Sequence, residues 1–484
     1  MKVLEKVEKF SNGKLFKYQE LINNHRRWLK FQGNEGQDVY VSMFKDDCDN
    51  LLGEFPSDND ANILVEGNTD FYIKDERNLM TMLGSVEDII SNLSEDNLAF
   101  KLRKNVFSKE EQSGAHYGLY GAATKSDNRG HAAGNTGQSK RLFASKYQLE
   151  VLELFKNGKT KKALKKCKQT DNSKKSKNCW IKAEVINEFG DISNFFPKLV
   201  EKLSSLSSKE ATKIIDKFIS QTSYSDEVWS GITGFYDRYP RIPFGRLTAH
   251  AKKNFDKFEK CYPFTRKLNS EFKRLLPTRW GSQNEDIQNI DKKFLIGEDT
   301  VFSTITVNTT TPKRNARMAY HRDEGSSNSG FSNLTIVSEE GREWQGGHLV
   351  IPEVSVSINV RCGDLLLIDN MNLIHGNTPI TGVDGNDFLR MSMVFYLRED
   401  MKKLGSFEYE NIRKSFVDVR KNNPNHPLQR KGWNGVSPSM WVGTEWFNYL
   451  KDNGGEEMLS KYHPLSDSLA RDNSGRFFSS LGKC

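Results

Sequence analysis

The sequence predicts an α+β protein whose core is a double-stranded β-helix, or jelly roll, with helical additions at its N-terminal and C-terminal ends. Two observations predict this fold. After residue 300, short apolar or β-branched runs alternate with turn residues at the spacing of an antiparallel double-sheet fold. Upstream, two segments carry the helical period instead. The runs are VFSTITV, SNLTIVS, GHLVIP, VSINV, DLLLID and FLRMSMVFYL.

Composition narrows the class of protein. The chain has 484 residues, of which 36% are hydrophobic and 28% charged, and its 30 Phe, 15 Tyr and 8 Trp can supply a core. No apolar run is long enough to cross a bilayer and the first residues lack a secretory signal, so we expect a soluble, intracellular protein, nuclear in a eukaryote and cytoplasmic in a bacterial or viral setting. Six scattered cysteines exclude a disulfide framework and a zinc finger. The formal charge of +8 allows a polyanionic partner.

The chain divides into three predicted parts. Residues 1–105 are an N-terminal extension of unknown role, with a helix-like segment at residues 15–31. Residues 106–402 are the main domain, and its jelly-roll core lies at about residues 300–400. Residues 403–484 are a Trp-rich C-terminal extension and tail.

Two segments of the main domain have unusual composition. Residues 114–137 are rich in Gly and Ala around Asn128 and Arg129, which suits an ordered loop that approaches a ligand closely, or a plain surface loop. An insertion at about residues 156–178 is rich in lysine, with ten lysines against one acid between Lys156 and Lys177. We expect it to be either a solvated, partly flexible insertion or a surface that contacts phosphates.

Residues 208–222 and about 254–276 carry the helical period. Between these two predicted helices, aromatic residues, arginines and prolines alternate too irregularly for either period. This intervening segment is expected to pack on the core and to expose Arg238, Arg241 or Arg246.

Three residues within the predicted strands have the spacing of a metal site. His321 and Asp323 form the chain's only His-x-Asp, and on an extended segment residues i and i+2 point to the same side. His375, just after the apolar run DLLLID, supplies a third ligand. Two histidines and one carboxylate that leave positions open are typical of non-haem Fe(II) sites that use O2.

A buried arginine complements these ligands. On the strand that contains Arg390, Leu389, Met391 and Met393 share one face, while Arg390 and Ser392 share the other. A guanidinium that points into a barrel needs an anion, and the distal carboxylate of 2-oxoglutarate is a natural partner. Each of these residues taken singly has an ordinary structural explanation, but together and in this order they indicate an oxygenase.

The residues that carry this pattern also resemble a known family. Three stretches are similar to the TET/JBP group of Fe(II)- and 2-oxoglutarate-dependent dioxygenases, particularly its trypanosome, algal and phage-type members. They are TITVNTTTPKRNARMAYHRDEGSSNSGFSNLTIV, GGHLVIPEVSVSINVRCGDLLLIDNMNLIHGNTPI and the strand with Arg390. The resemblance implies that His321, Asp323 and His375 bind the iron and that Arg390, with Ser392, binds 2-oxoglutarate. Arg317 is a weaker candidate for the co-substrate pocket.

The resemblance also implies a substrate, the methyl group of 5-methylcytosine or thymine in DNA, in a flipped or single-stranded base. Ser326 stands where family members commonly carry Asp or Asn, which leaves the identity of the base open. Further substrate-binding candidates are Asn128, Arg129, Arg238, Arg241 and Tyr236. The alternatives are a prolyl-hydroxylase-like or small-molecule oxygenase and a catalytically silent module that binds modified DNA. No membrane association is expected, and no protein partner can be inferred.

Overall fold

The computed structural model describes most of the chain, and everything below refers to that part. The described residues are 1–75, 85–126, 129–134, 139–167, 175–182, 195–220, 222–223, 228–314, 316–437, 439–441, 444–453, 455 and 457. No helix within these ranges has the length and apolar character needed to span a bilayer.

Most strands lie in residues 2–126 and 222–396, and most helices lie in residues 146–286. The strands are β1 Lys2–Lys9, β2 Leu15–Asn23, β3 Arg26–Gln32, β4 Asp38–Ser42, β5 Ile63–Val65, β6 Thr69–Ile73, β7 Leu98–Arg103, β8 Thr124–Ser126, β9 Ser139–Ser145, β10 Lys175–Lys182, β11 Thr222–Ser223, β12 Val228–Tyr236, β13 Arg246–Leu247, β14 Thr304–Thr310, β15 Ser332–Val337, β16 Trp344–Gly346, β17 Leu349–Ile351, β18 Val356–Ile358, β19 Leu365–Ile368, β20 Gly376–Asn377, β21 Ile380–Gly382 and β22 Arg390–Tyr396.

The α-helices are α1 Val86–Ser91, α2 Lys109–Leu119, α3 Lys146–Lys156, α4 Thr160–Cys167, α5 Phe195–Ser204, α6 Ser208–Ser220, α7 Ala249–Lys253, α8 Phe255–Phe258, α9 Tyr262–Leu275, α10 Pro277–Asp286, α11 Phe407–Asn422 and α12 Thr444–Asp452. The two helices predicted from periodicity are therefore confirmed, the second as α8 and α9 joined by a 3₁₀ turn. Each of the six apolar runs after residue 300 contains a strand.

A 13-stranded sheet is the centre of the fold. Its order is β1-β2-β3-β4-β6-β7-β19-β15-β22-β14-β12-β13, and β8 also pairs with β12. One face of the sheet packs on helices, with Met391 and Phe395 in the same buried cluster as Phe264 of α9. The opposite face packs on a four-stranded sheet of order β20-β17-β18-β5, where Leu366 meets Ile351. The predicted mixture of α and β structure is thus confirmed.

The predicted helical N-terminal addition is wrong, because the segment at residues 15–31 forms the antiparallel strands β2 and β3. Aromatic side chains meet across these strands, with the rings of Phe16 and Phe31 5.1 Å apart. Asn24, with a φ of 54°, makes the turn. The N-terminal strands extend the central sheet through the pairing of β7 with β19. The boundaries predicted at residues 105 and 402 stay predictions.

The loop predicted for residues 114–137 begins as a helix instead. Ser108 and Glu111 form a capping box that starts α2. Gly118 lies in this helix, and a Cβ there would stand 2.9 Å from the carbonyl oxygen of Lys257. That glycine therefore allows two helical segments to approach closely and does not face a ligand.

The C-terminal extension contains the helices α11 and α12, as predicted. Its tryptophans are internal: Trp441 and Trp446 are buried and pack with Phe416, and their indole rings are 4.8 Å apart. Residues 458–484, which include the predicted tail, lie outside the described residues.

Candidate active site

Three side chains predicted as metal ligands converge at one point. The ligand atoms of His321, Asp323 and His375 all lie within 4.8 Å of one another, and in the described part of the chain no other group of three or more His, Cys, Asp or Glu is so placed. The convergence has a backbone cause. His321 and His375 form an antiparallel bridge in which each amide nitrogen donates to the other's carbonyl, at 3.0 and 2.9 Å.

Hydrogen bonds determine which ring nitrogen of each histidine is free. His321 Nδ1 lies 2.8 Å from the carbonyl oxygen of Ala319, and His375 Nδ1 lies 3.0 Å from that of Leu373. A carbonyl oxygen only accepts, so Nδ1 carries the proton and Nε2 of the neutral ring has a lone pair. His321 Nε2 is 3.3 Å from an oxygen of Asp323. Three acceptors that face one another in this way suit a bound cation.

The protonation states of Asp323 and His375 agree with a role as metal ligands. Burial raises the pKa of the Asp323 carboxyl, but the positive electrostatic influence of the nearby His375, His321 and Arg129 outweighs it and lowers this pKa to about 2. Burial and then the neighbouring His321 lower the pKa of His375 to about 4. At neutral pH the carboxylate is therefore ionised and His375 is neutral, which are the forms that bind a divalent metal.

A second group of residues holds the ligands in position, and the sequence analysis did not find it. The Nδ2 of Asn370 donates to Asp323, and the Asp323 amide donates to the Asn370 carbonyl at 2.9 Å. The hydroxyl of Ser332 donates to Asn370 Oδ1 at 2.6 Å and orients the amide. Asn370 is the second residue after the apolar strand β19, and a polar amide so close to the end of an apolar run was the sequence signal available for it.

Glu353 links the two segments that carry the ligands. Its carboxylate is 2% exposed, receives Arg322 at 3.1 Å and accepts from the amide of Ile374 at 2.6 Å. Arg322 lies between His321 and Asp323, while Ile374 precedes His375. Lys45, from the N-terminal extension, stands 3.7 Å from the same carboxylate. A lone carboxylate inside the apolar run LVIPEVSV was the sequence signal for this residue.

The N-terminal extension also contacts the ligand segment directly. The amide of Gly53 donates to the Tyr320 carbonyl, and the amide of Tyr320 donates to the Glu54 carbonyl, both at 2.8 Å. Asp49 pairs with Arg322 at 2.8 Å. The loop between β4 and β5 thus holds the strand segment that presents His321.

The ligands lie in the wall of a cavity of about 480 Å³, and Arg390 and Ser392 line the same cavity. Arg390 is 3% exposed, its Nε has no hydrogen-bond partner, and it forms no ion pair with a described carboxylate. Burial, and then the nearby Arg361, lower its pKa to about 10, so it remains a cation at neutral pH. As predicted, Met391 and Met393 point the opposite way, into the core that faces the helices.

The remaining predicted site residues separate into two groups. Ser326 and Arg129 line the cavity, and Arg129 is close enough to Asp323 to lower the pKa of its carboxyl. Asn308, which the sequence analysis did not select, also lines it and accepts a hydrogen bond from Ser230 at 2.6 Å. Asn128 lies outside the described residues.

Three of the other predicted site residues require correction. Arg238 is 5% exposed and forms an ion pair with the buried Glu410, because the segment folds inward there. Tyr236 lies beneath the guanidinium groups of Arg246 and Arg398 and does not line the cavity. Arg317 donates to the carbonyls of Pro56 and Asn377, also outside the cavity lining. Arg241 is exposed, as expected, and lies outside the cavity lining, so its contact with the substrate stays a prediction.

Comparison with known proteins gives the following matches. Residues 238–399 match the Tet_JBP family model, described as the oxygenase domain of the 2OGFeDO superfamily. The bifunctional helicase and thymine dioxygenase JBP2 of Leishmania braziliensis is 34% identical over 171 residues, which are 35% of this chain and 14% of that protein. The thymine dioxygenase JBP1 of Leishmania tarentolae is 25% identical over 197 residues, 40% of this chain and 22% of that protein.

Among solved structures, NgTET1 in complex with 5mC DNA matches with a TM-score of 0.34 and 12% identity, over 76% of this chain and 97% of that chain. The chain spans 14% of the length of the JBP2 relative and 22% of the JBP1 relative. The three metal-ligand candidates and Arg390 all lie within the residues that match the family model.

Proposed function

We propose that this chain, whose residues 238–399 are a Tet_JBP oxygenase domain of the 2OGFeDO superfamily, is an Fe(II)- and 2-oxoglutarate-dependent dioxygenase. Its substrate would be the methyl group of a 5-methylpyrimidine, 5-methylcytosine or thymine, in DNA. The observation that carries the proposal is one cavity that holds both the three converging ligands and an unpartnered buried guanidinium. The matching relatives, which are thymine dioxygenases by name, support the choice of substrate.

We further propose that the core is the jelly roll predicted from the sequence. Its larger half would be the run β19-β15-β22-β14-β12 of the central sheet, and its smaller half the strands β20-β17-β18. The two halves share one apolar core, which supports this assignment.

In this proposal His321, Asp323 and His375 hold the iron, and Asn370 keeps the Asp323 carboxylate in one orientation. Arg390 and Ser392 bind the distal carboxylate of 2-oxoglutarate, since a guanidinium and a hydroxyl on one strand face present donors to both oxygens. When bound, iron and 2-oxoglutarate supply the activation of O2 and hydroxylation of a C–H bond, with release of CO2 and succinate. The protein orients the substrates and limits access of water.

The substrate base has to leave the helical stack. A methyl group in the major groove of a duplex cannot enter a cavity of about 480 Å³ while its base is paired. Unstacking costs a few kcal/mol, roughly, which contacts to the extruded base and to phosphates offset. Ser326 and Arg129 line the cavity and are the described candidates for contacts with the base.

The test measures two products. The purified chain with Fe(II), 2-oxoglutarate, O2 and methylated DNA should form succinate, and mass spectrometry of the digested DNA should detect a 5-hydroxymethylpyrimidine. Absence of succinate under all conditions would refute an oxygenase. Succinate formation without any oxidised nucleoside, from DNA with methylcytosine or with thymine, would refute the DNA substrate and favour a protein or small-molecule substrate.

A further inference from the structure

The positive charge of this chain is concentrated in one segment. Residues 139–223, here called the basic module, contain 19 Lys and Arg against nine Asp and Glu, a formal charge of +10. Since the whole chain has a formal charge of +8, the remaining residues together carry −2. All but one of the 19 cations are lysines.

The basic module has a hydrophobic core of its own. Leu152 and Phe155 of α3, Ala163 of α4, Leu203 of α5 and Ile215 of α6 are buried together, in a cluster that contains no residue of the oxygenase core. The described part of the lysine-rich insertion thus packs on this cluster through Ala163 of α4, and whether the insertion is mainly solvated or contacts phosphates stays a prediction. Residues 168–174 and 183–194 lie outside the described part of the chain.

Helix α4 presents cations that no described residue of the module neutralises. Lys161, Lys162 and Lys165 are exposed and have no ion pair among the described residues. By contrast, Lys156 pairs with Asp216 at 2.8 Å and Lys166 pairs with Glu150. Among the described residues, Lys156 and Lys166 are therefore paired within the module, whereas the three exposed lysines of α4 are available to an external anion.

Both connections of the module begin at the active-site cavity. The cavity lining includes Ala132, which is two residues before Gly134, and Ser230, which is two residues after Val228. Only four residues separate Gly134 from β9, and four separate β11 from β12. Because each connection can span at most roughly 18 Å, the module starts close to the cavity.

We propose that the basic module binds the phosphate backbone of the DNA whose base enters the cavity, through Lys161, Lys162 and Lys165. Lysines act on phosphates as point charges and read no sequence, so this contact adds affinity and position, while the cavity selects the base. The proposal rests on the proposed function for its choice of DNA as the polyanion.

The experiment compares two triple variants of the full chain. The module variant combines Lys161→Gln, Lys162→Gln and Lys165→Gln. The matched control combines Lys252→Gln, Lys253→Gln and Lys260→Gln, which change exposed lysines outside the module. Duplex binding is measured by fluorescence anisotropy without 2-oxoglutarate, between about 50 and 200 mM salt. We expect the module variant to bind about tenfold or more weakly, and its slope of log affinity against log salt to flatten by about 3, equally for two unrelated sequences.

Equal slopes for the wild-type chain and the module variant would overturn the proposal. An equal loss in both triple variants would also overturn it, because net charge and not the module would then be responsible. The binding measurement does not depend on turnover, so a failure to detect an oxidised nucleoside would count against the proposed function alone.

Discussion

The two ends of the cavity differ in how their polar groups are satisfied. At the metal-ligand end, each histidine donates through Nδ1 to a carbonyl, and Asp323 accepts from Asn370. At the other end, Arg390 is more deeply buried than His321 or Asp323, yet its Nε has no partner in the described structure. The protein therefore organises the ligand end by itself and leaves the arginine end incomplete. Burial of that cation is compensated only when an anion binds beside it.

We expect the largest effect on activity from removing one of the three metal ligands at the organised end of the cavity. His375→Ala should reduce succinate formation by more than about 100-fold, beyond the range typical of residues that only support a ligand, because one of three metal ligands is lost. The variant should still fold, as judged by circular dichroism. His116→Ala, which changes a histidine outside this cavity, is the control. Full activity of His375→Ala would refute the ligand assignment.

Arg390→Met tests the arginine end of the cavity. We expect it to weaken the binding of 2-oxoglutarate without destabilising the fold. The KM for 2-oxoglutarate should rise about 10- to 100-fold, because a charge-assisted hydrogen-bonded pair is lost. The free energy of unfolding without co-substrate should stay the same or increase, because a buried and unpartnered charge is removed.

The control for Arg390→Met is Arg274→Met, which changes an exposed arginine outside the cavity and should leave the KM unchanged. A decrease of about 3–5 kcal/mol in the free energy of unfolding of Arg390→Met would contradict the difference drawn between the two ends of the cavity, since it would reveal an internal partner for the guanidinium.

A smaller effect is expected from Glu353→Gln, which weakens the connection between the two ligand segments. The affinity for Co(II), measured by calorimetry without oxygen, should fall about tenfold, as for other residues that orient metal ligands. The exposed Glu340→Gln is the control. If the melting temperature of Glu353→Gln fell while the affinity for Co(II) stayed unchanged, Glu353 would have a structural role only.

The N-terminal extension shows where prediction from the sequence reached its limit. Its strands β2 and β3 contain Leu, Phe, Trp and charged residues in an order compatible with either period, and only pairing across the hairpin distinguishes them. Its loop at residues 46–60 supports the segment around His321 through Tyr320 and Arg322, which are more than 250 positions away in the chain. No local pattern carries that information.

The sequence by itself determined the strands after residue 300, the alternation that turns Arg390 and Ser392 away from Met391, and the three ligand candidates. These follow from local rules: period-two alternation, and an i, i+2 pair on extended backbone. Only the tertiary structure decided that Arg238 pairs with Glu410, that Arg317 binds backbone carbonyls, and that Glu353 and Asn370 hold the ligands. A buried polar side chain is satisfied by whichever partner the packing brings within about 3 Å, and residues far apart in the chain provide that partner.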